Sequence, residues 1–533
     1  MDVPALSRRD LMKVSAFGAA GLALPWESRL SAKSASRIAS SKLPKPYTVP
    51  FAAPPVLAPV RRTSDTDYYR ISQEQFVGEI LPGVTTTMWG YNGLVPGPTI
   101  QVDRDRKTVV RQVNNLPAKH PALGYVPWTS THLHGMPSEP HYDGYASDNS
   151  DPGEWKDYHY PNNCEARTLW YHDHGLHHTA ENVYMGLAGQ YHVFDKAERA
   201  SGLPQGAYDV PLILGDRMFA ESGALLWDDD SHTGVYGDVV IVNGRPWPTM
   251  PVKRRKYRFR VLNGAISRGF TLKLSNGAPF SVVATDGGVM GSPQTVTQFT
   301  IGMAERYEIV VDFAKIFAGV RAGAKIQLVN LGVKNARDYD HTGKVMQFEV
   351  TDEPFDAANN EVRSTLGPAH SAMALKPTSS MPVRKMRLER SGGLWAINGK
   401  TWVDVEKSGF TDVLCNPEPG DVEVWEIENK SGGWFHPTHI HLVDFQVLTR
   451  NGAAPRPEER GPKDVVYVGE NETVRLIMQF SKPDGVHGRY MIHCHNLSHE
   501  DHDMMIQFQV GTHDAQCDPI NTAPPRSGPE SEL

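Results

Sequence analysis

Four pairs of histidines, each separated by one residue, stand out in the sequence. They are His132-Leu133-His134, His172-Asp173-His174, His439-Ile440-His441 and His493-Cys494-His495. On a strand, residues i and i+2 point to the same face, so each pair presents two imidazoles side by side. Imidazole binds copper, zinc and iron, and eight imidazoles from two distant segments can hold several ions at once. The four pairs therefore predict a multinuclear transition-metal centre.

A second motif surrounds the last pair. Cys494 is followed by His499 and Met504, and His436 lies upstream on another predicted strand. A thiolate, two imidazoles and a weak axial thioether are the ligands of a blue-copper electron-transfer site. The neighbours of Cys494 point to the opposite face, towards the histidine cluster, so an electron arriving at Cys494 has a short covalent path into it. Zinc is redox-inert and gains nothing from this connection, which favours copper.

The elements that carry these motifs are predicted to be strands. Residues 256–261 alternate apolar and basic side chains, and residues 473–480 place Val474, Leu476, Met478 and Phe480 on one face. Alternation with period two indicates a strand with one buried face. Long amphipathic helical patterns are scarce, and 47 Gly and 40 Pro punctuate the chain. The sequence predicts an all-β protein built of sandwiches or barrels.

Length and composition suggest three domains. A chain of 533 residues allows roughly two to four. We predict an export signal and lead-in over residues 1–45, a first domain over 46–200 and a second over 201–355. A linker over 356–384, a third domain with the Cys494 site over 385–515 and a tail over 516–533 complete the chain.

The N-terminus predicts export. Arg8 and Arg9 precede a mild apolar run from Val14 to Leu24, which is typical of a twin-arginine signal. The alternative is a membrane anchor, but the run is too short to span a bilayer. We expect a periplasmic or extracellular bacterial protein that contacts the twin-arginine machinery transiently. No later run of 18 apolar residues and no basic run with aromatics occurs, so neither stable membrane insertion nor a nucleic-acid partner is expected.

The motifs together resemble the multicopper oxidase family, and within it bilirubin oxidases, with spore-coat laccases and phenoxazinone synthases nearby. The resemblance extends beyond the histidine motifs to segments 94–100, 243–248, 303–308 and 461–466, and covers about residues 65 to 510. It implies three cupredoxin-like Greek-key β-sandwich domains, with the histidine cluster between the first and the third. It also implies that four one-electron oxidations of a small phenolic, aminophenolic or bilirubin-like tetrapyrrole substrate are coupled to reduction of O₂ to two waters.

Carried over residue by residue, the resemblance implies four copper ions. The type 1 copper would be bound by His436, Cys494, His499 and Met504. The type 2 copper would be bound by His132 and His439. The type 3 pair would be bound by His134, His172, His174, His441, His493 and His495.

Three further residues match functional positions of the family. Asp143 and Glu500 match acidic positions near its solvent channels, and O₂ reduction needs carboxyls that deliver protons. The alternative is that both are ordinary surface acids. Trp434, two residues before His436, matches a Trp of bilirubin oxidases and is expected to face the substrate rather than to pack only in the core.

Rival interpretations remain open at this level. A metal-ion oxidase acting on Cu(I) or Mn(II) would carry an acidic or Met-rich insert near the type 1 site, and the sequence shows no convincing one. A non-catalytic copper-binding protein would not need four intact histidine pairs. Cys164 and Cys517 could form a disulfide or remain free thiols, and His177, His178 and His502 are expected to bind no metal.

Overall fold

The computed structural model describes residues 35–229, 232–480, 486–512, 518–520 and 526–533. Strands make up 41% of the chain and helices are few and short, which confirms the prediction of an all-β fold. The proposed export signal, including Arg8 and Arg9, lies outside the described residues. Within the described ranges, no helix has both the length and the apolar character needed to cross a membrane.

Domain 1 is a sandwich of two sheets. Its strands are β1 (Arg61–Arg62), β2 (Thr66–Gly78), β3 (Thr86–Tyr91), β4 (Ile100–Asp103), β5 (Lys107–Asn115), β6 (Thr131–His134), β7 (Glu154–Tyr160), β8 (Arg167–Asp173) and β9 (Ala188–Phe194). One sheet has the order β1-β2-β5-β7 with β3 also on β2, and the other has the order β4-β9-β8-β6. Two short helices, α1 (Thr179–Met185) and α2 (Lys196–Arg199), flank β9.

Domain 2 repeats this plan with twelve strands and one helical turn. They are β10 (Asp209–Arg217), β11 (Val239–Val242), β12 (Arg245–Pro246), β13 (Thr249–Val252), β14 (Lys256–Asn263), β15 (Phe270–Leu274), β16 (Phe280–Thr285), β17 (Gly288–Val296), β18 (Gln298–Ile301), β19 (Arg306–Asp312), α3 (Phe313–Ile316), β20 (Lys325–Asn330) and β21 (Lys344–Val350). The sheets have the orders β12-β11-β10-β14-β19-β16-β17 and β13-β21-β20-β15-β18.

Domain 3 carries the second half of the histidine motifs. It contains β22 (Val383–Ser391), β23 (Leu394–Ile397), α4 (Trp402–Lys407), β24 (Val422–Asn429), β25 (His436–Ile440), β26 (Phe445–Arg450), β27 (Val465–Val468), β28 (Thr473–Gln479), β29 (Gly488–Cys494), α5 (Leu497–Asp501) and β30 (Met505–Val510). The sheets have the orders β23-β22-β24-β28-β26 and β27-β25-β29-β30. In each domain an early strand pairs in parallel with a later one: β2 with β5, β10 with β14 and β22 with β24.

The C-terminal tail returns to domain 1. Its last strand, β31 (Arg526–Ser527), pairs antiparallel with the edge of β7. Arg70 binds the carboxylate of Glu530 through Nε and Nη2, at 2.9 and 2.6 Å. The carbonyl oxygen of Ser531 accepts a hydrogen bond from Arg111. The end of the chain is therefore attached to the sandwich farthest from it in sequence.

One expected feature of the strands is wrong. The alternation in β14 predicted a strand with one buried face, yet Arg258 and Arg260 on its other face are buried as well. Both guanidinium groups form ion pairs with the buried carboxylate of Glu308, and Arg260 also binds Asp209. Domain 1 covers this face of β14, since Thr168 accepts a hydrogen bond from Arg260. Alternation of apolar and charged residues does not distinguish a solvated face from a buried, paired one. By contrast, β28 buries its apolar residues as expected.

The segment between β21 and β22, predicted as a linker, docks between domains 1 and 3 through His370. Its Nε2 lies 3.1 Å from Asp444 Oδ2 in domain 3 and 3.2 Å from Glu165 Oε2 in domain 1. Burial and the charge of Arg167 lower the pKa of His370, but the hydrogen bonds to Asp444 and Glu165 and the charge of Asp444 outweigh them and raise the pKa to about 9. The linker thus carries a cation that joins two acidic side chains.

We expect His370→Gln to destabilise the protein in a pH-dependent way. Because the folded-state pKa lies above the usual value of 6.5, the contribution of His370 is complete below pH 6.5 and is lost as pH rises through about 9. The loss of unfolding free energy in acid should be on the order of 2 kcal/mol. Urea denaturation of both proteins at pH 6 and above pH 9 measures it. A difference that is the same at both pH values would contradict the ion-pair role.

Candidate metal centre

The strands that carry the histidine pairs place them in register. In domain 1, β6 and β8 are antiparallel and His132 lies opposite His172. In domain 3, β25 and β29 are antiparallel and His439 lies opposite His493. Each sheet therefore presents two pairs next to one another, and the second histidine of three of the four pairs lies just beyond the end of its strand.

The first pair of each domain meets its counterpart across the interface. The rings of His132 and His134 are 5.3 Å apart, and those of His439 and His441 are 4.6 Å apart. Across the domains, His134 stacks on His439 at 3.7 Å and His132 lies 4.1 Å from His441. All four side chains are buried.

The second pair of each domain meets in the same way. His174 lies 4.9 Å from His493, and His172 lies 5.2 Å from His495. Nε2 of His174 is 3.3 Å from Nε2 of His493. Domains 1 and 3 thus contribute four buried imidazoles each to one cluster.

In three of the rings, one nitrogen is hydrogen-bonded to a backbone carbonyl. The other nitrogen, here called inward-facing, has no hydrogen-bond partner among the described residues. Nδ1 of His132, His172 and His439 donates to the carbonyl oxygens of Asp143, Asp173 and Asp464, respectively. Nε2 of the same three rings has no hydrogen-bond partner among the described residues, and neither ring nitrogen of His495 has one. A buried polar atom without a partner is costly, and a metal ion would satisfy these atoms. The cluster therefore fits a set of metal ions held by oriented imidazoles.

Burial also favours the neutral form of the His172 and His174 rings. It lowers the pKa of His172 to about 3 and that of His174 to about 4. A metal ion binds the lone pair of neutral imidazole and competes with the proton. At neutral pH these rings are therefore ready to act as ligands.

The two predicted acids, Asp143 and Glu500, contact Nδ1 atoms of the cluster's rings. Asp143 Oδ2 lies 2.7 Å from Nδ1 of His441. Glu500 Oε2 lies 2.8 Å from Nδ1 of His493, and Oε1 lies 3.5 Å from Nδ1 of His174. Both carboxyls are buried, and burial raises the pKa of Asp143 well above its ordinary range. Neither acid is a surface residue.

A second site lies at the end of β29. Nδ1 of His436 is 3.3 Å from Sγ of Cys494, and Nδ1 of His499 is 3.7 Å from the same sulfur. The two Nδ1 atoms are 3.2 Å apart, and all three side chains are fully buried. Met504 is buried here too, and its carbonyl oxygen accepts a hydrogen bond from the backbone N–H of Cys494. Burial raises the pKa of the Cys494 thiol, so a cation is needed to stabilise its thiolate.

Two polar residues that the sequence did not reveal orient this second site. Ser431 Oγ lies 2.8 Å from Nε2 of His436. Asn496 Nδ2 lies 3.1 Å from Nε2 of His499, and the backbone N–H of Asn496 donates to Sγ of Cys494 at 3.4 Å. The Nδ1 atoms of both rings are thereby turned towards the sulfur.

Two tryptophan side chains lie next to the ring of His499. Trp434, predicted to face the substrate, is half-buried and lies 6.3 Å from the ring of His499. Trp395, which the sequence did not indicate, is fully buried and stacks on the same ring at 3.9 Å. It lies on β23, about 100 residues from His499, and no motif connects the two.

Domain 2 supplies no imidazole to the cluster but supports it through Arg306. Nη1 and Nη2 of Arg306 bind Oδ1 and Oδ2 of Asp464 at 2.7 and 2.6 Å. Asp464 in turn lies 3.1 Å from Nε2 of His134, and its carbonyl oxygen holds Nδ1 of His439 at 2.8 Å. The only sequence indication was that both residues lie in segments, 303–308 and 461–466, that resemble the family. Asp464 therefore positions a ring from each of two domains, one through its carboxylate and the other through its backbone carbonyl.

The remaining candidates lie outside these two sites. His178 stacks on Tyr125 at 3.8 Å. Cys164 is buried, and Cys517, its suggested disulfide partner, lies outside the described residues. Nε2 of His502 lies 3.4 Å from Oδ2 of Asp229.

These two sites define a class of protein. A thiolate-imidazole site is joined through Cys494 to His493 and His495 of a cluster of eight buried imidazoles. Imidazole with thiolate and thioether selects copper among redox metals, so the geometry is that of a copper-dependent electron-transfer enzyme.

Comparisons with known proteins agree with this assignment to copper-dependent electron-transfer enzymes. Three family profiles, each described as multicopper oxidase, match residues 76–198, 208–327 and 383–514. The chain is 41% identical to a bilirubin oxidase of Albifimbria verrucaria, over 87% of this chain and 81% of that protein. It is 33% identical to a laccase of Bacillus subtilis, over 86% and 97%. The crystal structure of the McoA multicopper oxidase of Aquifex aeolicus superposes with a TM-score of 0.76 at 29% identity, over 87% and 99%.

The chain belongs to the multicopper oxidase family. It is a copper-dependent oxidoreductase that acts on small-molecule substrates and uses O₂ as electron acceptor. The expected cupredoxin-like architecture is confirmed.

We expect Arg306→Gln to weaken copper binding in the histidine cluster while the Cys494 site keeps its copper. Without the guanidinium, Asp464 no longer fixes His134 and His439, and loss of such support costs roughly 10- to 100-fold in metal affinity. Copper content after dialysis against a chelator, with the visible absorption of the Cys494 site as internal reference, measures the effect.

Arg268→Gln is the matched control, because Arg268 is a buried arginine of domain 2 that binds Asp216 at 2.7 Å. Equal copper retention in both variants would show that Arg306 serves only the stability of the fold.

Proposed function

We propose that the protein oxidises a small phenolic, aminophenolic or bilirubin-like tetrapyrrole substrate in four one-electron steps and reduces O₂ to two waters. One observation carries this proposal. Cys494 belongs to the electron-accepting site, and its two covalent neighbours, His493 and His495, belong to the histidine cluster. A non-catalytic copper-binding protein has no use for this connection.

Four copper ions fit the donor atoms. His436, Cys494, His499 and Met504 would hold a type 1 copper, His132 and His439 a type 2 copper, and His134, His172, His174, His441, His493 and His495 a type 3 pair. Copper bound there would cycle between Cu(I) and Cu(II), and so accept electrons singly and supply four of them to O₂. The unpartnered Nε2 atoms of His132 and His439 support this division.

The carboxyls of Asp143 and Glu500 would deliver the protons. Reduction of O₂ to two waters consumes four protons, and the cluster is buried away from bulk water. Asp143 contacts His441, and Glu500 contacts His493 and His174, so each acid lies next to the imidazoles without competing for their inward nitrogens. A carboxyl in this position can accept a proton and pass it on next to the cluster.

The substrate would dock on the surface next to His499. Trp434 is the half-exposed aromatic residue at this point, and an aromatic substrate can stack on it. The similar bilirubin oxidase and laccase named above support an aromatic electron donor.

Export is part of the proposal. Arg8 and Arg9 with the apolar run that follows support passage through the twin-arginine machinery to the periplasm or beyond. This route carries folded proteins, which suits an enzyme that must hold a buried metal centre.

Cys494→Ser tests the electron-accepting site. The purified protein should bind about four copper ions per chain, and the variant about three. The intense visible absorption of Cys-bound copper should vanish while copper in the histidine cluster remains. A wild-type protein that is loaded with copper but lacks this absorption would rule out the proposed function.

Asp143→Asn tests proton delivery. An amide keeps the size and the contact with His441 but cannot donate a proton at neutral pH, so turnover should fall by about 100-fold or more at unchanged copper content. Stopped-flow measurement should find fast anaerobic reduction by substrate and slow reoxidation by O₂.

Asp148→Asn provides the control, since Asp148 is a buried acid of the same loop that binds Lys156 and no histidine. Reoxidation of Asp143→Asn at the wild-type rate would make Asp143 a structural acid and leave Glu500 as the proton donor.

A further inference from the structure

One buried tryptophan contacts both imidazoles of the Cys494 site. The indole ring of Trp395 stacks on the ring of His499, with the centroids 3.9 Å apart and the planes 30° apart. It meets the ring of His436 edge-on, at 5.3 Å and 71°. Trp395 and both histidines are 0% exposed. Both imidazoles thus lie against one rigid side chain that water does not reach.

The position of Trp395 is fixed from domain 2. Its Nε1 donates a hydrogen bond of 2.7 Å to the carbonyl oxygen of His232. The carbonyl oxygen of the next residue, Thr233, lies 3.3 Å from Nε2 of His499. A carbonyl oxygen only accepts hydrogen bonds, so this contact places a proton on Nε2 and leaves the lone pair on Nδ1, the nitrogen near Sγ of Cys494. Two successive carbonyls of domain 2 therefore orient Trp395 and His499 together.

A cation also lies close to the indole. Cζ of Arg390 is 4.9 Å from the centre of the Trp395 ring. Nε of Arg390 donates a hydrogen bond of 3.3 Å to the carbonyl oxygen of Gly393, in the turn that leads to Trp395. The guanidinium therefore contributes a positive charge on the side chain that stacks on His499.

These surroundings favour the lower charge of a metal in the site. With copper held by a thiolate and neutral imidazoles, the Cu(II) form carries one more positive charge than the Cu(I) form. Exclusion of water and a nearby cation both disfavour the more positive form. Water admitted next to His499 would stabilise Cu(II) and lower the reduction potential. The ring that covers His499 therefore affects how readily the site accepts an electron.

We propose that Trp395 is a positioning residue that keeps the reduction potential of the Cys494 site high. It holds His499 in one orientation and excludes water from its ring. This inference rests on the proposed function, because it concerns the copper that accepts electrons from the substrate. Trp395 is itself neither a ligand of that copper nor exposed to the substrate.

Trp395→Leu and Trp395→Phe test this in the copper-loaded enzyme. Leucine removes the stacked ring, whereas phenylalanine keeps an aromatic ring but loses the N–H that binds His232. Redox titration, followed by the visible absorption of the Cys-bound copper, measures the potential. In Trp395→Leu the ratio of Cu(II) to Cu(I) at a given solution potential should rise at least about tenfold, which is about 59 mV for a one-electron couple. Trp395→Phe should shift the potential in the same direction by less.

The two half-reactions give a second measurement. A lower potential reduces the driving force for electron uptake, so stopped-flow measurement of Trp395→Leu should find anaerobic reduction by a phenol at least about threefold slower. Reoxidation by O₂ should be no slower than in the wild type, because the histidine cluster is unchanged. This result is the opposite of that expected for Asp143→Asn.

Trp425→Leu is the matched control. Trp425 is a fully buried tryptophan of the same domain whose Nε1 also donates a hydrogen bond and whose ring packs on two phenylalanines. It should keep the wild-type potential.

The inference is overturned if Trp395→Leu keeps the wild-type potential. It is also overturned if Trp425→Leu lowers the potential equally, since the shift would then reflect a general loosening of domain 3. If Trp395→Leu does not load copper at Cys494, Trp395→Phe decides, and an unchanged potential in that variant overturns the inference. Absence of the visible absorption in the copper-loaded wild type would instead refute the proposed function itself.

Discussion

The inward-facing nitrogens of the histidine cluster are the constraint on which the rest of the structure depends. Eight imidazoles are buried between two domains, and several of their nitrogens have no protein partner among the described residues. Burying such atoms costs free energy, and metal binding returns it only if the rings are already oriented. Backbone carbonyls and the carboxylates of Asp143, Glu500 and Asp464 provide that orientation. Folding of the interface and loading with metal are therefore linked.

Domain 2 shows how a domain without ligands takes part in a metal centre. Its Arg306 fixes Asp464, which fixes one ring from domain 1 and one from domain 3. Its loop around Thr233 contacts His499 from the other side. Domain 2 therefore contacts both metal sites and supports their ligands. It lies between the two ligand-bearing domains along the chain.

The sequence predicted the parts of the site in which one short segment carries the chemistry. The His-x-His spacing and the Cys494-His499-Met504 spacing each follow from local geometry, as does the alternation of β28. It did not predict what depends on contacts between distant segments, such as Arg306 with Asp464, Trp395 with His499, or Asp229 with His502. The burial of the β14 arginines was not predicted for the same reason, because their ion-pair partners come from other segments.

The attachment of the C-terminal tail to β7 has a consequence for how the halves of the enzyme can separate. Domain 3 is connected to the rest of the chain at its beginning by residues 351–382 and at its end by a strand bound to domain 1. Complete separation of domains 1 and 3 therefore demands that the tail detach, with the Arg70–Glu530 pair broken as well, whereas a local opening leaves the tail attached. A domain tethered at both ends remains at high effective concentration next to its partner after a local opening. Rapid reclosure, in addition to the strength of the interface, would then keep bound metal ions from escaping.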